Sequence, residues 1–229
     1  MFLGLIGAAI HDVGHRGVSN NFLIKNQDDL AITYNDIHVL ENHHLAETFR
    51  IIAHEEGCNI FELCDQGTHD EFRKTIIEMV LATDLADHFS QVSSLRNKHS
   101  SKNLVAKDIL IGIAMCADIG HSTKAFAIHE RWSTLIGEEF YRQGEREEEL
   151  GRPVSAMCDK SEARHVYFNS QVGFLQFLAE PLFETMREVV GSKGDECCTS
   201  LALNMQTWKD KRDEAKTNAT AVANSNSSD

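Results

Sequence analysis

Apolar side chains recur along this chain at steps of three, four or five residues, the spacing that lines one face of an α-helix. Over 71–97, Phe72, Ile76, Met79, Val80, Leu85, Phe89 and Val92 form one broad stripe, which predicts a single long helix. The segment 105–118, which ends at Asp118, is otherwise nearly all apolar except for Lys107 and Asp108 and predicts a central, buried helix. Another helix is expected over 123–144, with Phe126, Trp132, Leu135, Ile136 and Phe140 on its apolar side and Gly144 placed as a C-terminal cap. A further one spans 170–190, kinked at Pro181, whose ring nitrogen cannot donate to the helix ladder. The opening run 1–10 is apolar, but it has no basic leader and is shorter than the ~20 residues a membrane span needs. It reads as the second half of a buried helix in a chain that begins inside a domain. The alternation around Val166 to Phe168 is too short to predict a strand.

Loops are expected at 25–29, 97–103 and 144–160, the last opening on a charge run that reads as a solvated helix end. From Lys211 the large apolar residues cease, so 211–229 reads as a disordered tail after a folded domain over 1–210. The sequons at Asn218 and Asn226 are what an Asn- and Ser-rich tail produces by chance. With only 2 prolines and 14 glycines as punctuation, the expected fold class is all-α, a compact multi-helix bundle. A net charge of −13 argues against nucleic acid and against docking on anionic membrane as partners. The 6 cysteines form no CxxC pair, which fits reduced thiols in a cytoplasmic protein.

The chain has 12 histidines, and their spacing carries the chemistry. In His11-Asp12-Val13-Gly14-His15, a helical backbone would put His11 and His15 on one face, with Asp12 three residues from His15. Imidazole with hard carboxylate oxygen suits Zn²⁺, Mn²⁺ or Mg²⁺; the plainer reading is a capping aspartate between two surface histidines. Asp118 ends the most apolar helix, where a carboxylate opposes the helix dipole and needs a partner, either a metal or a hydrogen-bonding loop. Glu41-Asn42-His43-His44 and Thr83-Asp84 are further polar clusters, fitted to hold metal-bound water or to cap helices.

Together these segments occur in one order with Tyr34-Asn35-Asp36, Cys116-Ala117-Asp118, Glu138-Glu139-Phe140, Gln143-Gly144, Met157-Cys158-Asp159-Lys160 and Ser170-Gln171-Val172-Gly173-Phe174. In that order they resemble the catalytic domain of the class I 3′,5′-cyclic nucleotide phosphodiesterases, from about Met1 to Trp208. The resemblance implies an all-helical domain holding two divalent metal ions, zinc with magnesium or manganese. It further implies hydrolysis of a small-molecule cyclic nucleotide, cAMP or cGMP, to the 5′-monophosphate, in an assembly that a homodimer would satisfy. By resemblance His11, Asp12 and Asp118 hold the first metal, with Asp12 bridging to the second, and His15, Glu41 and Thr83 hold water around that second metal. Gln171 corresponds to the glutamine that reads the purine edge and Phe174 to the aromatic that stacks on the base, with His121, Ile136, Phe140 and Met157 lining the same subsite.

The chain also departs from the family's pattern. The family's preceding helices carry a His-Asn-x-x-His motif that supplies the general-acid histidine and another metal ligand, and no H-N-x-x-H occurs in these 229 residues. The expectation is the C-terminal two-thirds of a catalytic domain, with little or no hydrolase activity alone; a catalytically dead cyclic-nucleotide-binding regulator is the alternative. Another His-Asp metal phosphohydrolase would leave Ser-Gln-Val-Gly-Phe unexplained. Gly14 stands where the family often has an acid. His121 replaces the asparagine of cyclic-AMP-selective members, and His129 an aromatic that often braces the glutamine, so both bases stay open.

Overall fold

The computed structural model describes residues 2–226, with side chains through 219, and its elements among these are all helical. It divides into two compact units, Met1–Asp118 and Ile119–Asp229. Among the described residues no helix is long and apolar enough to cross a membrane.

The first unit contains α1 (Phe2–Ile10), α2 (Asn20–Lys25), α3 (Asp29–Thr33), α4 (Val39–His54), α5 (Gln66–Leu81), α6 (His88–Ser100) and α7 (Ala106–Asp118). Its main core is made by helical repeats from three elements. Leu3, Ile6 and Ile10 of α1 and Leu45, Phe49 and Ile52 of α4 pack with Phe72, Ile76 and Val80 of α5. A smaller apolar layer of Val18, Leu23, Ala31, Val39 and Leu40 seats α2 and α3 on the start of α4. Ser19, Asp28 and Asp65 cap α2, α3 and α5 by accepting backbone N–H bonds from Phe22, Leu30 and Thr68.

Three expectations change here. The helix read over 71–97 is two helices, because the Asp84 carboxylate accepts the Ala86 N–H at 2.9 Å and opens a short 3-10 turn before α6. A short acidic side chain competes with the backbone ladder in a way that apolar spacing does not register. The opening segment is a helix but packs on one side only, leaving Leu5 65% exposed. Likewise α7 buries Gly112, Ala114 and Met115 and leaves Ile113 outward, so it is half-buried rather than central.

The second unit contains α8 (Phe126–Glu149), α9 (Arg164–Phe174), α10 (Glu180–Val190) and α11 (Asp195–Asn226). Its core gathers Phe168, Val172, Leu182, Phe183, Met186, Leu201, Met205 and Trp208, all buried. The kink expected at Pro181 takes the form of a π-helical segment, Leu175–Ala179, between α9 and α10. There the Glu180 N–H reaches back to the Leu175 carbonyl, and the wider turn makes room ahead of the proline ring.

The tail expected from Lys211 is helical instead, as α11 runs to Asn226. Lys211 pairs with Glu130 at 3.0 Å and Arg212 reaches Asn169 at 3.4 Å, so α8 and α9 tie down a stretch that has no large apolar residues. Residues 227–229, the end of that tail, lie outside the described residues. The charge run is exposed as expected except for Glu147, which is buried and accepts bonds from Gln143, the Ser155 amide and the Ser155 hydroxyl.

Gly144 does not cap α8 but lies buried within it. A Cβ there would sit 2.1 Å from the Cys158 carbonyl oxygen, so glycine permits the loop after α8 to fold back on the helix. Gly144→Ala is expected to destabilise the protein by about 2–3 kcal/mol through overpacking against backbone. Urea unfolding followed by tryptophan fluorescence reads this, and an unchanged midpoint would refute the close approach.

Candidate active site

In the first unit α1 ends at Ile10, and His11 to Gly14 form a turn instead of continuing the helix. Gly14 takes φ 74, the left-handed region that glycine adopts without strain, and a Cβ on it would meet His43 Nε2 at 3.0 Å. His11 and His15 therefore do not share a helical face as the spacing suggested. The turn sends them in different directions.

His11 projects beside the C-terminal end of α7. Its Nδ1 donates to the Ala8 carbonyl at 2.8 Å, which leaves Nε2 facing Asp12 Oδ2 and Asp118 Oδ1, each at 3.3 Å. One ligand atom from each of His11, Asp12 and Asp118 lies within 4.8 Å of the others, a spacing that a single cation can occupy. The two carboxylates hold the imidazole in its charged form. Chiefly through Asp118, and then Asp12, the His11 pKa is raised to about 10. His11 in turn holds the Asp12 carboxyl below its ordinary range. A cation must displace this proton before it can use Nε2.

His44 completes the setting, and sequence reasoning left it out of the ligand set. It is buried on α4, donates through Nδ1 to the Val13 carbonyl at 2.7 Å and turns Nε2 towards Asp12 Oδ1 at 3.7 Å. Burial pushes its pKa down. The available signal was its place three residues after Glu41, on the same face of a helix.

His15 accepts the Gly17 N–H at Nδ1 (3.0 Å), so a neutral His15 carries its proton on Nε2; its ring lies 5.8 Å from that of His44. Glu41 accepts from the Asn20 side chain at 2.9 Å, while the same asparagine's oxygen takes the Leu40 N–H, and burial raises the Glu41 pKa. Thr83 donates its hydroxyl proton to the Val80 carbonyl, which leaves the oxygen as an acceptor. A cleft of about 90 Å³ brings Thr83 together with His11 and Asp118 over Gly7, Ala8 and Met79. His38, Glu41 and Asp84 form a second imidazole–carboxylate group, with His38 Nδ1 2.7 Å from Asp84 Oδ2.

In the second unit, Gln171 and Phe174 lie half-buried, three residues apart on α9. The Phe174 ring is nearly parallel to that of His121, at 14° with centroids 6.0 Å apart. His121 sits on a 3-10 turn, Gly120–Thr123, ahead of α8. Ile136 and Phe140 follow each other at four residues on α8, and Met157, at φ 67, lies in the loop beyond it with half its surface exposed. His129 is fully buried on α8, where it accepts the Trp208 indole N–H at 2.8 Å; burial lowers its pKa to about 4.

The described elements are all helical, and imidazole and carboxylate groups gather at the ends of α1 and α7. The family described as 3′5′-cyclic nucleotide phosphodiesterase matches residues 1–201. The dual specificity calcium/calmodulin-dependent 3′,5′-cyclic nucleotide phosphodiesterase 1C of Mus musculus is 40% identical over 190 residues, which is 82% of this chain and 27% of the relative. The 1B protein of Bos taurus is 40% identical over 186 residues, 81% of this chain and 34% of its own. The crystal structure of the phosphodiesterase domain of Salpingoeca rosetta rhodopsin phosphodiesterase superposes with a TM-score of 0.88 at 27% identity, over 96% of this chain and 69% of that one. The chain belongs to the 3′,5′-cyclic nucleotide phosphodiesterase family. It spans about a quarter to a third of the length of these curated relatives.

Two titrations test the electrostatics. In the metal-free protein His11 should stay protonated until about pH 10, and Asp118→Asn should lower that value, as followed by imidazole NMR shifts; a His11 that titrates near 6.5 in both proteins would contradict the pairing. His129 has a folded pKa below the unfolded 6.5, so its contribution to stability is whole above pH 6.5 and is lost as pH falls towards 4. Urea unfolding should therefore show ~3 kcal/mol less stability at pH 4 than at pH 7 from this residue, a slope that His129→Phe removes.

Proposed function

We propose that this chain forms part of the machinery that hydrolyses 3′,5′-cyclic nucleotides, cyclic AMP or cyclic GMP, to nucleoside 5′-monophosphates in cytoplasmic second-messenger signalling. The convergence of His11, Asp12 and Asp118 carries this reading. An imidazole nitrogen whose partner nitrogen is tied to a carbonyl, set between two carboxylates, is a donor set that fits Zn²⁺ with Mg²⁺ or Mn²⁺ beside it. His11, Asp12 and Asp118 would hold the first ion, and the exposed carboxylate of Asp12 would also serve the second. Bound divalent cations supply Lewis-acid activation of water and neutralise charge on the phosphate.

The remaining work falls to side chains. His15 offers an Nε2 donor and Glu41 and Thr83 offer acceptors, so the three together orient water from both its donor and its acceptor sides. Gln171 supplies an amide donor–acceptor pair for the base edge and Phe174 a flat apolar wall, with His121, Ile136, Phe140 and Met157 assigned to the same subsite by the family's ordered motifs. Relatives named as dual specificity enzymes support keeping both bases as substrates.

Opening the phosphate ring also needs a proton for the departing 3′-oxygen. These residues contain no H-N-x-x-H, and none of the assigned groups takes that role. A second reading is that this chain binds cyclic nucleotide without turning it over.

Calorimetry with Zn²⁺ or Mn²⁺, then with cyclic nucleotide, paired with chromatography of the products, tests both readings. The metal should bind with release of a proton from His11, and Asp12→Asn or Asp118→Asn should each weaken it by more than ~10-fold. Nucleotide should bind the metal-loaded chain, with turnover at least ~100-fold below that of relatives carrying the acid. Metal affinity indifferent to both substitutions would refute the site. Rapid turnover would refute the missing acid.

A further inference from the structure

The second unit holds three rings, those of Trp208, His129 and His121, joined by two nitrogen–nitrogen contacts that its packing alone does not require. Trp208, on α11 and 1% exposed, has an indole N–H that can only donate, and it lies 2.8 Å from His129 Nε2. That nitrogen is therefore bare, and a neutral His129 carries its single proton on Nδ1. His129 is 0% exposed, and a second proton on it would point at the indole N–H, so the neutral form is the one that fits.

His129 Nδ1 lies 3.0 Å from His121 Nδ1, with the two ring planes within 22° and their centroids 5.0 Å apart. One proton serves that contact, and Trp208 has already assigned it to His129. His121 must then accept at Nδ1 and carry its own proton on Nε2. Phe126 packs edge-on against both His129 and Trp208 and holds the pair in register. The His121 ring so fixed lies parallel to Phe174.

The geometry points to Trp208 and His129 as positioning residues that lock His121 in its Nε2–H tautomer, so that next to the stacking ring of Phe174 the chain presents a fixed hydrogen-bond donor to a purine N7. The base contact rests on the proposed function, in which the nucleotide base stacks on Phe174; the tautomer lock does not. N7 is the acceptor that adenine and guanine have in common, whereas the 6-position carries an amino donor in one and a carbonyl acceptor in the other. A donor that cannot switch to an acceptor is therefore matched to both purines at N7 and mismatched to the adenine amino group. A terminal amide at this position could rotate and offer either character. The imidazole tied to His129 cannot.

The lock is read directly from long-range ¹H–¹⁵N correlation spectra of the full chain, which distinguish protonated from bare ring nitrogens. Wild-type protein should show a bare Nδ1 and a protonated Nε2 on His121, and the reverse would overturn the proposal without any variant being made. His129→Phe should let His121 populate both tautomers. His129→Gln keeps an acceptor for the indole and a donor for His121, and should restore the Nε2–H form; equal spectra in all three proteins would also overturn the lock. Calorimetry on the metal-loaded chain supplies the second readout. The 7-deaza analogues of cyclic AMP and cyclic GMP should each bind about tenfold more weakly than their parents. His129→Phe should shrink that ratio and His129→Gln should keep it. Equal binding of parents and analogues would refute the N7 contact while the spectra still decide the lock, and no nucleotide binding at all would refute the contact together with the function it rests on.

Discussion

A carboxylate at the C-terminal end of a helix faces the negative pole of the helix dipole, and Asp118 is placed there behind an apolar stretch. Positive charge supplied to such a group offsets that repulsion. In the first unit that charge comes from His11, at the end of α1, so one contact joins the last residue of α7 to the turn that follows the opening helix. A proton on the imidazole or a divalent cation in its place satisfies the same demand. Charge balance can therefore be kept when one replaces the other, with the helix ends as its frame.

The histidines around this contact are held by backbone atoms rather than by each other. Carbonyls of Ala8 and Val13 take the Nδ1 protons of His11 and His44, and the Gly17 amide supplies a proton to Nδ1 of His15. Each ring thereby has one nitrogen committed to the backbone, and the other nitrogen of both His11 and His44 faces Asp12. Ala8 belongs to α1, which the shared core with α4 and α5 fixes, and Val13 and Gly17 lie in the segment that follows it, so backbone already placed by folding sets the directions of these rings. Gly14 has a part in this: its left-handed turn separates His11 from His15 and leaves room for His43.

How much could be read from the chain depended on how local each cause was. Helix positions followed from apolar spacing, since Ile76, Met79 and Val80 are buried by the same repeat that revealed them. The break at Asp84 did not, because it depends on one carboxylate capturing one amide. The polar end of α11 looked incapable of order, yet Lys211 and Arg212 are anchored by partners on α8 and α9, some eighty and forty residues away in sequence. At the site, the cost of an unpaired acid pointed to Asp118 needing company, and the ordered motifs named His11 and Asp12 as that company. Spacing places His44 in a polar cluster on α4 but does not pair it with Asp12, because that link crosses from α4 to the turn after α1.

The π-helical stretch between α9 and α10 preserves the register of everything after it. Such a segment holds one residue more than an α-helix would over the same path. The extra residue is absorbed within Leu175–Ala179, so the turns of α10 keep the phase of an α-helix one residue shorter. Removing a single residue there would let the ladder close as ordinary α-helix and leave the buried faces of Leu182, Phe183 and Met186 where they are. The cost would fall instead on Pro181, whose ring would press on the carbonyl one turn before it. The bulge thus acts as local slack, confining the disturbance of the proline to one turn rather than passing it along α10.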